Sequence, residues 1–151
     1  MSQIEFKPPE SSGTYFAVGY PAGGGFEARN ALFKGFVATG KSVTFHDVPE
    51  STDLLIFEGF IDFLTYLSRK GRSKIDANVL VLNSTNLYRQ MLPYIEGPRF
   101  KSIYAYLDND EAGDAVTKEI ITRTKSAEVI DARTAYKGHK DLNAWHMTCN
   151  Q

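Results

Sequence analysis

Four short apolar runs constrain the fold more than any other feature of the chain: LLIFE (54–58), NVLVLN (78–83), SIYAYLD (102–108) and AEVID (127–131). Nearly continuous apolar runs of this length suit parallel strands buried on both faces. The stretches between them read as helices. Phe60, Phe63, Leu64 and Leu67 recur at i, i+3, i+4 and i+7, which is one face of a helix. Ala112, Val116 and Ile120 repeat at four-residue intervals with Ala115 beside them. TNLYRQMLPYI reads as a helix disturbed at Pro93, because proline cannot donate to the helical ladder. Such alternation predicts an α/β layer sandwich around a mainly parallel sheet of about four strands.

Residues 1–50 follow a different pattern. They hold seven of the twelve glycines, and TYFAVGYP, GFEARN, KGFVA and SVTFHDVP read as short strands between glycine turns. The expectation is a small β-rich N-terminal subdomain (1–50) flanking a core (51–151). With 42% apolar residues in 151, the chain can bury a substantial core.

Charge and cysteine usage narrow the function classes. Lys and Arg number 17 against 18 acids. That balance disfavours a broad electrostatic clamp on nucleic acid, so any phosphate contact must come from a local cluster. A single cysteine, Cys149, excludes an internal disulfide and a thiolate zinc cluster and suits a reducing compartment. The start, MSQIEFKPPE, lacks the layout of a signal peptide. No apolar stretch is long enough for a bilayer. A cytoplasmic chain without membrane contact is expected.

The acids carry the chemistry. In a parallel sheet, ligands bind beyond the carboxyl ends of the strands. Glu58 ends the first core run, Asp108 ends the third, and Asp110 follows two residues later. Three converging carboxylates repel one another and form the hard-oxygen donor set that suits Mg²⁺ or Mn²⁺. The competing reading is helix capping, by Asp108, spaced with Glu111 as a capping box, or by Asp110. Spacing alone leaves both standing.

IFEGFIDFL together with LDNDEAGDA resembles the two signature motifs of the Toprim domain, a Glu-Gly pair ending one strand and an Asp-x-Asp ending a later one. Ala112-Gly113 after the acid pair, and Asp62 four residues after Glu58, resemble the primase branch, of the kind carried by plasmids and mobile elements. The likeness spans about residues 52–146. It implies a metal-dependent nucleotidyltransferase core of a DNA primase, making primers on single-stranded DNA. Asp108 and Asp110 would hold the metal, with Glu58 sharing it or acting as general acid/base. Asp62 would be a further acid of the site or a first-turn helix partner. Asp141, in YKGHKDLNAWH, would approach the metal from after the fourth strand or cap a final helix, with Lys137 and Lys140 near phosphate.

In such primases a glycine-, arginine- and asparagine-bearing stretch and a following Phe-Lys-Gly face the nucleotide and template groove. GFEARN and FKG resemble that arrangement and make Arg29, Asn30 and Lys34 candidates for nucleotide or nucleic-acid binding. The residues by themselves read as a hairpin turn with solvated charges, and only the resemblance gives them the binding role. The implied partners are nucleoside triphosphates, a single-stranded DNA template and a replicative helicase. The zinc module and larger N-terminal catalytic part of whole primases have no counterpart in these residues, so the resemblance implies either a piece of a larger primase or a stand-alone Toprim protein with another role. A Toprim-type nuclease using the same acids, or a non-catalytic Toprim module that binds nucleic acid, are the alternatives.

Overall fold

The computed structural model of the chain describes residues 1–7 and 13–149. Two sheets organise them. The first is antiparallel with strands in sequence order: β1 (Ser2–Phe6), β2 (Tyr15–Pro21), β3 (Gly25–Arg29) and β4 (Lys34–Ala38). Gly23 turns β2 into β3 with φ +70. A Cβ there would lie 2.2 Å from the Gly40 carbonyl oxygen. The glycines of PAGGG thus let the turn lie against the backbone that follows β4, and none of them lines the cavity described below.

The second sheet contains β5 (Thr44–His46), β6 (Asp53–Phe57), β7 (Asn78–Val81), β8 (Ser102–Tyr106) and β9 (Glu128–Asp131), in the order β5-β7-β6-β8-β9. Four of these strands are parallel, as the apolar runs predicted, and β5 is added antiparallel at the edge of β7. Thr44–His46 falls in the N-terminal half by composition but in the core by pairing. Helices α1 (Phe60–Arg69), α2 (Tyr88–Ile95) and α3 (Glu111–Arg123) follow β6, β7 and β8, and α4 (Leu142–Cys149) closes the described chain. Pro93 is accommodated within α2 after a 3₁₀ turn at Thr85–Leu87. No helix among the described residues is long and apolar enough to cross a membrane.

Period-2 alternation divides the strand residues between two cores. Leu54 and Ile56 join Leu80, Ile103, Met91, Ile95, Val116 and Ile120 on the α2–α3 face. Leu55 and Phe57 join Val79, Val81, Phe60, Phe63 and Leu142 on the α1–α4 face. Each such side chain stabilises the fold by about 1.5–3 kcal/mol when fully buried. Tyr20 of β2 is also buried in the second core, stacked on Phe60 at 5.3 Å and 6°. Its hydroxyl meets His46 Nε2 at 2.5 Å, and Thr44 donates to the Pro21 carbonyl at 2.6 Å. These contacts seat the first sheet on the second.

One helix face differs from the expected stripe. Ala112 and Ala115 are exposed, and α3 turns Gly113, Val116, Thr117 and Ile120 inward instead. Gly113 sets this rotation, because only a residue without Cβ fits against the Asp108 backbone.

Candidate functional site

The strand order places β7 on one side of β6 and β8 on the other. The topological switch point therefore lies between the carboxyl ends of β6 and β8, where doubly wound sheets open a crevice. Glu58 follows β6 directly, and its amide donates to the Tyr106 carbonyl at 3.3 Å. Asp108 stands two residues beyond β8, and its amide donates to Glu58 Oε2 at 3.3 Å. The two strand tips are thus joined through an acid.

Burial first, and repulsion from Asp108 second, push the Glu58 carboxyl up to about 7. Asp62, in the first turn of α1, is buried and is pushed up to about 7, chiefly by burial. It accepts from the Asn143 amide at 3.0 Å, and Thr65 Oγ1 donates to Asn143 Oδ1 at 3.1 Å. The start of α4 is thereby docked on α1. Burial also raises Asp108, against the pull of Lys140, whose Nζ lies 3.4 Å from Asp108 Oδ2.

A cavity of about 190 Å³ collects these groups. Glu58, Asp62, Asp108 and Asp141 line it together with Lys140, and Arg29 and Lys34 of the first sheet contribute cations. Asp110 lies outside this lining and is the N-cap of α3, its Oδ1 accepting from the Gly113 amide at 2.9 Å. Capping thus falls to Asp110, two residues later than the Asp108–Glu111 box. Asp141 lines the cavity while its Oδ1 accepts from the Ala144 amide at 2.6 Å, just before α4. Asn30 is taken up by the β3–β4 turn: Oδ1 accepts from Leu32 and Phe33 at 2.7 Å each, and Nδ2 donates to the Phe16 carbonyl at 2.8 Å. Lys137 is exposed and outside the cavity lining.

Sequence reasoning passed over three positioning residues. Asn109, the middle of Asp-x-Asp, donates through Nδ2 to the carbonyls of His139 (2.8 Å) and Tyr136 (3.2 Å), and through its amide to that of Lys140 (2.6 Å). Buried Tyr136 in turn donates to the Leu107 carbonyl at 2.8 Å. The segment carrying Lys140 and Asp141 is therefore fastened to the end of β8. Arg133 pairs with Asp131 and with Asp114, at 2.8 and 2.6 Å, which gives Asp114 its role. The only sequence signal for Asn109 was an amide side chain between two acids, a type that bonds nearby backbone in turns.

The donor set is of the hard-oxygen kind that a divalent cation takes. Its carboxylates are part-buried and mutually repelling, which is the electrostatic load such an ion relieves. Among the described residues, no three acidic, histidine or cysteine side chains stand close enough together to hold an ion as they lie. We expect Asn109→Ala to keep the fold, lose about 1–2 kcal/mol of stability, and bind Mn²⁺ about 10–100-fold more weakly, as removal of an orienting partner does. Thermal melts with Mn²⁺ titration check this, and unchanged affinity would show that the Lys140–Asp141 arm holds itself.

A family model described as Toprim-like matches residues 55–146. By structure, the chain is similar to the primase fragment of the bacteriophage T7 primase-helicase protein, with a TM-score of 0.63 and 21% identity over 90% of this chain. It spans 58% of that fragment. It is similar as well to a chain from the T7 lagging-strand DNA polymerase structure with primase domains bound to an RNA/DNA hybrid and dTTP. That match has a TM-score of 0.62 and 21% identity over 91% of this chain and 72% of the other. At this identity the likeness shows the fold. No curated protein sequence matches the chain.

Proposed function

The chain belongs to the Toprim-like family, and on that premise we propose that it is the metal-dependent nucleotidyltransferase core of a primase-like protein. One observation carries the reading. Carboxylates from two adjacent strand tips, Glu58 and Asp108, share a cavity with Arg29 and Lys34 from a separate sheet. Acids at the strand tips, with Lys140 among them and with Arg29 and Lys34 reaching in beside Glu27, which Lys41 pairs, suit a cation and the phosphates it accompanies.

Glu58 and Asp108 would hold Mg²⁺ or Mn²⁺, with Asp62, Asp110 and Asp141 around them. A bound divalent ion supplies Lewis acidity toward phosphate and lowers the pKa of a coordinated hydroxyl. The remaining work falls to the chain's own groups. Glu58, pushed up to about 7 by burial and by Asp108 while the site holds no ion, would either share the ion or serve as the general acid/base. Arg29, Lys34 and Lys140 neutralise and orient phosphates. The ligands are nucleoside triphosphates and single-stranded DNA, in a larger cytoplasmic assembly that includes a helicase. The first sheet, β1–β4, would form the substrate-side subdomain, and the second sheet with its helices the catalytic core, which takes in β5 from the first fifty residues.

Titration of Mn²⁺ or Mg²⁺ into wild type and the Asp108→Asn/Asp110→Asn double variant tests the metal site. Binding is expected to fall at least 100-fold in the variant, and equal binding would sink the claim. Primer synthesis and strand cleavage, assayed on a version extended upstream, separate the enzymes. Synthesis supports the proposal, and cleavage without synthesis makes the protein a nuclease. Metal binding with neither activity makes it a binding module.

A further inference from the structure

The far end of α1 carries the densest positive charge in the chain. Arg69, Lys70, Arg72 and Lys74 fall within six residues, and every residue from 68 to 74 is exposed. The helix begins beside Glu58 and runs ten residues, so this turn stands about 15 Å of helix away from the acid cavity. It lies at the edge of the sheet where β7 begins. The turn is closed: Gly71 takes φ +61, and the amides of Gly71 and Arg72 donate to the carbonyls of Ser68 and Leu67 at 3.0 Å each, as a helix ends on a left-handed glycine. Among the described residues, the ion pairs include only Arg72 of the four, with Asp76. Two of the cations lie over rings, Arg69 at 3.8 Å from the centroid of Trp145 and Lys70 at 5.7 Å from that of Tyr66. His146 Nδ1 stands 3.4 Å from Arg69 Nη1. A chain of net charge −1 has no general excess of cations to scatter here.

We propose that this turn is a second nucleic-acid contact, remote from the acid cavity, that holds the phosphate backbone of a duplex without reading its bases. Clustered cations on a fixed turn are what a near-neutral chain needs to bind phosphates. The rings decide the form of the ligand. Single strands are gripped by stacking their bases on open aromatic faces, but Trp145 and Tyr66 are part-buried and carry cations over a face. A duplex keeps its bases paired and offers phosphates alone, at about one charge per 1.7 Å of axis. A protein partner fits less well. Interface centres are depleted of lysine and of charge generally, and SRKGRSK (68–74) holds no apolar side chain. The inference rests on the function proposed above only for the source of the duplex, a primer paired to its template.

The test measures anisotropy of a labelled DNA duplex and of an unpaired oligothymidylate of equal length, on the full chain, across a salt series. Lys70→Gln/Lys74→Gln is expected to weaken the duplex roughly 2–30-fold, as the loss of two exposed ionic contacts does. It should also lower the salt slope by about 1.8 and weaken the unpaired strand less. Both lysines are exposed and outside the ion pairs, so the variant should melt with wild type. Lys118→Gln/Lys125→Gln removes the same charge from exposed positions on and after α3 and should leave the duplex unchanged. An equal loss in that control overturns the site, because net charge alone then accounts for the binding. No loss in the first variant, an equal loss on both strands, or no duplex binding by wild type overturns it as well. So does an oligoglutamate that binds in a Lys70- and Lys74-dependent way where the duplex does not, since the turn then serves an acidic protein. The two proposals fail separately. Duplex binding that depends on Lys70 and Lys74 in a protein that binds no divalent ion keeps the turn and removes the catalytic reading, and Mn²⁺ binding without duplex binding does the reverse.

Discussion

Without divalent cations, the protein is expected to melt about 6–12 °C lower at pH 8 than at pH 5, and saturating Mg²⁺ is expected to restore stability at pH 8 only. Glu58 and Asp62 have ordinary values of 4.5 and 3.8 and sit at about 7 in the fold. Between roughly 4 and 7 the folded chain therefore binds more protons than the unfolded one, and stability falls as pH rises through that window. Above it the loss is complete and constant. With the part exposure of Glu58 allowed for, the two acids contribute on the order of 3 kcal/mol, which sets the shift for a chain of this size. His46 works in the opposite sense, since burial lowers it and its protonation costs stability at low pH. The diagnostic is therefore the difference from Asp62→Asn and Glu58→Gln, each of which should flatten the profile. Parallel profiles for wild type and both variants would mean that the acids carry no electrostatic load.

The second large effect comes from a single methyl group. A Cβ on Gly113 would lie 2.1 Å from the Asp108 carbonyl oxygen and 3.0 Å from its carbonyl carbon. Both are backbone atoms at the end of β8, so neither can swing aside as a side chain does. Gly113→Ala must push α3 or the Asp108 loop away, at about 2–4 kcal/mol and roughly 5–10 °C in melting temperature. Because Asp108 moves with its backbone, Mn²⁺ affinity should fall as well. Gly97→Ala is the control: its Cβ would meet nothing within 4 Å, and the melt should stay within about 2 °C of wild type. A stable Gly113→Ala protein with normal Mn²⁺ binding would mean that the loop tolerates displacement.

What the sequence made legible depends on how local its physics is. β6 and β7 were readable because burial on both faces leaves a nearly unbroken apolar run, as in β7 with all of Asn78–Val81 buried, while β8, buried on alternate residues, and β9, only part-buried, showed themselves by apolar content alone. The Glu58–Asp108 pair was readable because strand ends locate themselves once the strands are known. The inward face of α3 was not, because Gly113 contributes no hydrophobicity to a periodic pattern and acts through what it lacks. Asn109 was equally silent: its partners, Tyr136, His139 and Lys140, lie about thirty residues away, and nothing in the intervening sequence brings them near. β5 went unassigned to the core because a three-residue edge strand has too little pattern to declare its partner.

The β3–β4 hairpin carries one more consequence. A strand offers its side chains to alternate faces, so the face that Arg29 and Lys34 occupy is a matter of odd or even count along the ladder. They stand opposite each other, and a shift of one residue would carry one of them to the far side of the sheet. What holds the count is the turn between them, where Asn30 gathers Leu32, Phe33 and the Phe16 carbonyl around one amide. Asn30 lines no part of the cavity, yet it keeps the parity by which Arg29 and Lys34 turn toward the acids of the second sheet.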